Sequence, residues 1–130
     1  MAMEADIAQA ADLAQRLAAL LDGELAALRA QDMGAFEALQ DDKQTVLGTL
    51  SALADVHGAT WQDQPEWADV LKQLQACHDG HRRNETILRR QLDVVRMALA
   101  ALTRDESPAL YDHLAPAGSR AQRAARAYGE

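Results

Sequence analysis

Very little in this chain can cross-link, kink or stack. Its 130 residues include one cysteine, three prolines and five aromatic side chains: Phe36, Trp61, Trp67, Tyr111 and Tyr128. A single cysteine excludes an internal disulfide, so nothing here calls for an oxidising compartment. No apolar run approaches the ~20 residues needed to cross a membrane. The opening stretch MAMEADIAQ is acidic where a signal peptide carries a basic region and then an apolar run. The expectation is a cytoplasmic chain with no membrane insertion.

Glycine and proline are also sparse over the first hundred residues, while alanine and leucine dominate. Strands favour β-branched and aromatic residues, whereas Ala and Leu favour helices, so this composition predicts helices packed on helices. The net charge of −7 is unevenly spread. Residues 1–64 carry eleven acids against three bases, a net of −8, and residues 65–103 carry five against six, a net of +1. A front half this acidic argues against nucleic acid as a partner, because phosphate binding needs a basic footprint.

From about Glu4 to Ala30 apolar residues recur in steps of three and four, Ile7, Ala10, Ala14, Leu17 and Leu21, and then at Leu28, two turns on. Leu13, Leu20 and Leu25 widen the stripe. That spacing predicts an amphipathic helix ~40 Å long at 1.5 Å per residue. Gly23 inside it costs about 1 kcal/mol relative to alanine. Asp32 reads as the N-cap of a second helix, about Met33 to Val56, with Phe36, Leu39, Lys43, Val46, Leu50 and Leu53 on one stripe. The short connection makes the two an antiparallel αα-hairpin. Gly58 is placed to end the second helix in a left-handed conformation, with His57 in the loop. Asp63-Gln64-Pro65-Glu66 offers a cap, a proline in the first turn and a capping-box glutamate.

The third helix is expected to run from Pro65 or Glu66 to about Thr103. Its seam reads Trp67, Leu71, Leu74, His78, His81, Glu85, Leu88, Leu92, Val95, Leu99 and Leu102. Asp79-Gly80 could split it, but Leu88 follows Leu74 by two full heptads, and that continuity favours one unbroken helix. Longer than either arm of the hairpin, it is expected to leave part of its face free for a partner. The fold class that results is all-α: a three-helix antiparallel coiled-coil-like bundle over residues 1–103. Residues 104–130, with two prolines and a glycine in SPALYDHLAPAG, form a flexible C-terminal tail.

The stretch ACHDGHRRN, residues 76–84, contains the most pointed chemistry. His78, His81 and Glu85 fall on one helical face, Cys77 and His81 are neighbours at i, i+4, and all four are zinc-ligand types. One helix rarely closes a metal site alone, and the other helices offer no obvious cysteine or histidine. A polar layer in a helix bundle is the preferred reading, with no metal and no cofactor. Catalysis finds no footing either: there is no nucleophile elbow, phosphate loop or HExxH motif, and Asp41-Asp42 sits on a polar face. Arg82, Arg89 and Arg96, with Arg83 and Arg90 beside them, form a basic stripe. It suits either docking of an acidic partner or complementing the acidic hairpin of the same molecule, and the hairpin, as the nearest counter-charge, favours the second.

Taken together, LLDGELAALRAQDMGAFEALQDDKQTVLGTLSAL, CHDGHRRNETILRRQLDVVRMALAAL and SPALYDHLAPAG resemble the FlgN family of flagellar export chaperones. Glu24, Asp32 and Lys43 stand at the family's recurring polar positions, and Asn84 with Ile87-Leu88 matches its asparagine-containing core. The chain departs from the family at His81 and Glu85, where asparagine and glycine are common, and in a longer Tyr111-to-Gly118 interval. The resemblance implies a non-enzymatic chaperone for hook–filament junction proteins of the flagellum, holding their C-terminal helices and delivering them to the type III export gate. It places substrate on the C-terminal half of the third helix and on the tail: Leu92, Val95, Leu99, Leu102, Leu110, Tyr111 and Leu114. Tyr111 is the residue expected to meet the gate. The rival readings are a self-associating coiled-coil scaffold and a metal or thiol sensor built on Cys77, His78, His81 and Glu85.

Overall fold

The amphipathic stripe of the N-terminal segment folds as α1 (Ala2–Arg29), which buries Ala10, Leu13, Ala14, Leu17, Leu21, Ala27 and Leu28. These are the residues of a computed structural model that describes positions 2–103. No glycine ends α1. Gln31 takes the left-handed conformation, at φ 56°. Its amide donates to Leu28 O at 3.1 Å and the Asp32 amide to Ala27 O at 2.9 Å, which closes a Schellman turn around a non-glycine residue. Asp32 then starts the next helix as expected, Oδ1 accepting from the Ala35 amide at 3.0 Å.

The second arm of the hairpin is not one smooth helix. It divides at Leu39 into α2 (Met33–Ala38) and α3 (Gln40–His57). The Leu39 side chain lies against Gly23 of α1, where an added Cβ would come within 3.2 Å of Leu39 Cδ1. Gly23, unfavourable for helix formation, is therefore where the two arms come close. Gly58 ends α3 at φ 84° and ψ 173°, a region open essentially to glycine alone. His57 is the last residue of α3 rather than a loop residue, and its Nε2 lies 2.8 Å from Asp6 Oδ2 near the start of α1.

Two 3-10 turns, Trp61–Asp63 and Pro65–Trp67, lead into α4 (Ala68–Thr103). The expected cap at Asp63 is displaced by one residue. Gln64 occupies the cap of the second turn without a side-chain bond, because Asp63 is already committed to the preceding 3-10 turn. Proline does stand in the first turn, where its missing N–H is no loss. From there α4 continues unbroken through Asp79-Gly80.

Chain directions follow from the side-chain pairs. Asp6 meets His57 and Glu24 meets Lys43, so α3 runs antiparallel to α1. Ala10 packs with Trp67 and Val70, and Leu21 bonds to Asn84, so α4 runs parallel to α1. Two clusters make the core. One joins Leu13, Leu17, Leu21, Val46 and Cys77; the other joins Ala10, Trp67 and Val70, with Leu50 and Leu53 packed against both. Trp67 also meets Trp61 edge-on at 5.6 Å.

The inner seam of α4 differs in one respect from the expected one. Trp67 holds its place and Leu74 packs half-buried beside it, but Val70, Cys77 and Asn84 turn inward, while His78, His81 and Glu85 are exposed and Leu71 is half-buried. Polar contacts to α1 accompany this face: Cys77 Sγ donates to Ala14 O at 3.6 Å and Asn84 Nδ2 to Leu21 O at 2.8 Å. The chain forms two compact units, Met1–Leu88 and Arg89–Glu130. All packing described so far lies within the first. Within the second, residues 89–103 are described; the predicted flexible tail, with Leu110, Tyr111 and Leu114, lies outside the described residues. No helix among the described residues is long and apolar enough to cross a membrane.

Two glycines give a test of opposite sign. Gly48 sits within α3, and a Cβ there would have no neighbour within 4 Å. Gly48→Ala should therefore stabilise by about 0.5–1 kcal/mol. Gly58→Ala should destabilise by about 1–3 kcal/mol, since alanine cannot adopt that backbone without strain. Thermal melts of both variants should move in opposite directions.

Candidate partner-binding surface and polar node

Glu24 lies on the apolar stripe of α1, between Leu21 and Leu28, and is 1% exposed. A carboxylate there is tolerable only if every lone pair finds a donor. Gln40 Nε2 donates to Oε2 at 2.7 Å, Lys43 Nζ to Oε2 at 3.0 Å and Oε1 at 3.3 Å, and Asn84 Nδ2 to Oε1 at 3.1 Å. All three helical arms thus converge on one side chain.

The donors are themselves constrained. Asn84 is buried; its second amide hydrogen goes to Leu21 O at 2.8 Å, and its Oδ1 accepts from Arg83 Nε at 3.1 Å. Lys43 is buried too, and its ammonium lies 3.0 Å from His81 Nδ1. An ammonium can only donate, so that nitrogen of His81 acts as acceptor and the ring proton sits on Nε2. Burial pushes the Glu24 carboxyl up, but the bonds from Gln40, Asn84 and Lys43 and the Lys43 charge outweigh it and hold it below the usual carboxylate range.

The stretch 76–84 divides across this node. Cys77 faces α1 in the core, and burial, then the charge of Asp22, push its thiol up, which keeps it protonated and unreactive near neutral pH. His78 and, just beyond the stretch, Glu85 are exposed, about 80–100° around the helix from Cys77. Among the described residues no three His, Cys, Asp or Glu side chains are grouped to hold a metal ion. Of the basic stripe, Arg83 does reach the hairpin, 4.0 Å from Asp22. The sequence places Lys43 on the stripe of its helix and Asn84 at a position shared with a family, with no sign that the two meet at Glu24. Their signal was a polar residue within an apolar stripe on each of three helices.

The predicted partner-binding residues on α4 are all exposed: Leu92 at 41%, Val95 at 52%, Leu99 at 56% and Leu102 at 71%. Their spacing of three, four and three places them on one face of a helix within a sector of about 80° at about 100° per residue. Val94 and Met97 are exposed as well. Six large apolar side chains in eleven residues make a surface of the kind that marks an interaction site. Within the first unit a smaller feature is present, an open groove of about 330 Å³ between α3 and α4, floored by Leu17 and Leu21.

Glu24→Gln should leave the Lys43 ammonium buried without its counter-charge and cost about 3–5 kcal/mol in a denaturant titration near neutral pH. The double variant Glu24→Gln/Lys43→Met should cost less than the sum of the two single variants. Since the carboxyl is held low in the folded state, its contribution is present above the ordinary carboxylate value and disappears as pH falls through the folded one. Wild type should lose stability through that acidic range more steeply than Glu24→Gln.

Comparison with known proteins finds no matching family model, no matching curated protein and no matching solved structure.

Proposed function

We propose that the protein is an export chaperone of the FlgN type, a non-enzymatic holder of amphipathic helices from hook–filament junction proteins, working in the cytoplasm and handing its cargo to the type III export gate. One observation carries the reading: Leu92, Val95, Leu99 and Leu102 stand exposed at heptad spacing on a formed helix. Helix-in-groove recognition needs such a row of anchors and no reactive group. Burying four of them against a partner removes a large apolar area from water at about 25 cal/mol per Å².

The polar node supports the same reading from the other side. A chaperone that exposes apolar residues must keep its own bundle from rearranging to cover them. Glu24, Lys43 and Asn84 are satisfied in one register only, so a slip of α4 along the hairpin would strand buried charge. The acidic front half also fits a protein partner better than a nucleic acid.

The test is calorimetric titration of the full chain with the C-terminal helical segment of a hook–filament junction protein. Leu99→Glu should weaken binding about 30-fold or more, equivalent to about 2 kcal/mol. Deleting residues 104–130 should leave helicity and melting nearly unchanged and abolish binding. Unchanged affinity in both variants would refute this assignment.

A further inference from the structure

The exposed apolar surface of residues 89–103 is wider than one docked helix can cover. Placed at about 100° per residue, Leu92, Val95, Leu99 and Leu102 occupy one sector. Val94, 66% exposed, and Met97, 52% exposed, form a second row centred about 150° away around the same helix. A helix packed against a neighbour presents a stripe of roughly 100° to it. The two rows together exceed that width, and no rotation of one partner helix covers both. The side between Leu92 and Met97, about 140° wide, carries Arg89, Asp93 and Arg96, and it is there that Ala100, 3% exposed, is buried.

Charge selects the occupant. Residues 89–103 hold three arginines, 89, 90 and 96, against one aspartate, a net of +2. Two copies of this segment packed on each other would bring six arginines together, which disfavours self-pairing. Apolar rows bordered by arginine are instead complementary to amphipathic helices bordered by aspartate and glutamate. We infer that this segment is clasped from two sides by a pair of acidic amphipathic helices of the partner, one on the Leu92–Leu102 row and the other on the row of Val94 and Met97. The inference rests on the helix-holding function proposed above and adds a second docking face to it.

The experiment uses the full chain and calorimetric titration with a junction-protein segment that contains two consecutive C-terminal helices, then with each helix as a separate peptide. Leu99→Glu tests the first row; Met97→Glu and, independently, Val94→Glu test the second. All three positions are exposed, and circular dichroism verifies that helicity is kept. The expected result is a tenfold or greater loss in each variant, weaker binding of either single helix than of the pair, and affinity that falls with added salt. Loss at Leu99 with wild-type affinity at both Met97 and Val94 overturns the two-sided clasp and leaves the chaperone function standing. Absence of any binding by wild type overturns both. A dimer in sedimentation that Met97→Glu dissociates assigns the second row to another copy of this chain, and salt-independent affinity overturns the acidic partner.

Discussion

A single buried carboxylate organises this bundle. Glu24 sits where the stripe of α1 would otherwise be apolar, and it is tolerated because Gln40, Lys43 and Asn84 each bring a donor from another part of the chain. Removing a charge from water costs several kcal/mol, and only a satisfied geometry offsets it. The geometry in turn requires α3 antiparallel and α4 parallel to α1, at one register. Leucine-on-leucine contacts along alanine-rich helices discriminate poorly between registers, so the polar node supplies the specificity that the aliphatic core lacks. Its net stabilisation need not be large for this; what matters is the penalty attached to every alternative.

Such a core suits the helix-holding function we propose. Leu92, Val95, Leu99 and Leu102 are exposed on α4. In an ordinary folded protein a row of that kind would be buried or replaced. Here it is legible as a recognition face, and Val94 and Met97 extend it around the helix. The proposed function needs burial and charge complementarity, and the single thiol, Cys77, is buried with its Sγ against Ala14 O.

Much of this was visible in the sequence, for reasons that can be named. The stripes of α1 and α3 follow from periodicity, because burial of apolar area dominates and repeats every three or four residues. Asp32 as a cap and Gly58 as a stop follow from local backbone chemistry. The uninterrupted α4 follows from heptad continuity across Asp79-Gly80. Other features depended on tertiary contacts. Val70, Cys77 and Asn84 lie only about 100° from the positions expected to face inward, and hydropathy cannot choose between a small thiol and an imidazole without knowing what stands opposite. Gln31 closes the first turn without any glycine signal. The node itself was read as scattered polar positions, since mutual satisfaction of Glu24, Lys43 and Asn84 is a property of three helices together.

The most direct test of a rigid polar node and of the proposed recognition face is native-state hydrogen exchange, with and without a junction-protein helical segment. Amides around Leu21–Leu28, Lys43–Val46 and Cys77–Asn84 should exchange slowest and together in the free chain. Partner should slow exchange at residues 92–102 while leaving those rates unchanged. Protection appearing instead in the groove between α3 and α4, with none at residues 92–102, would contradict it.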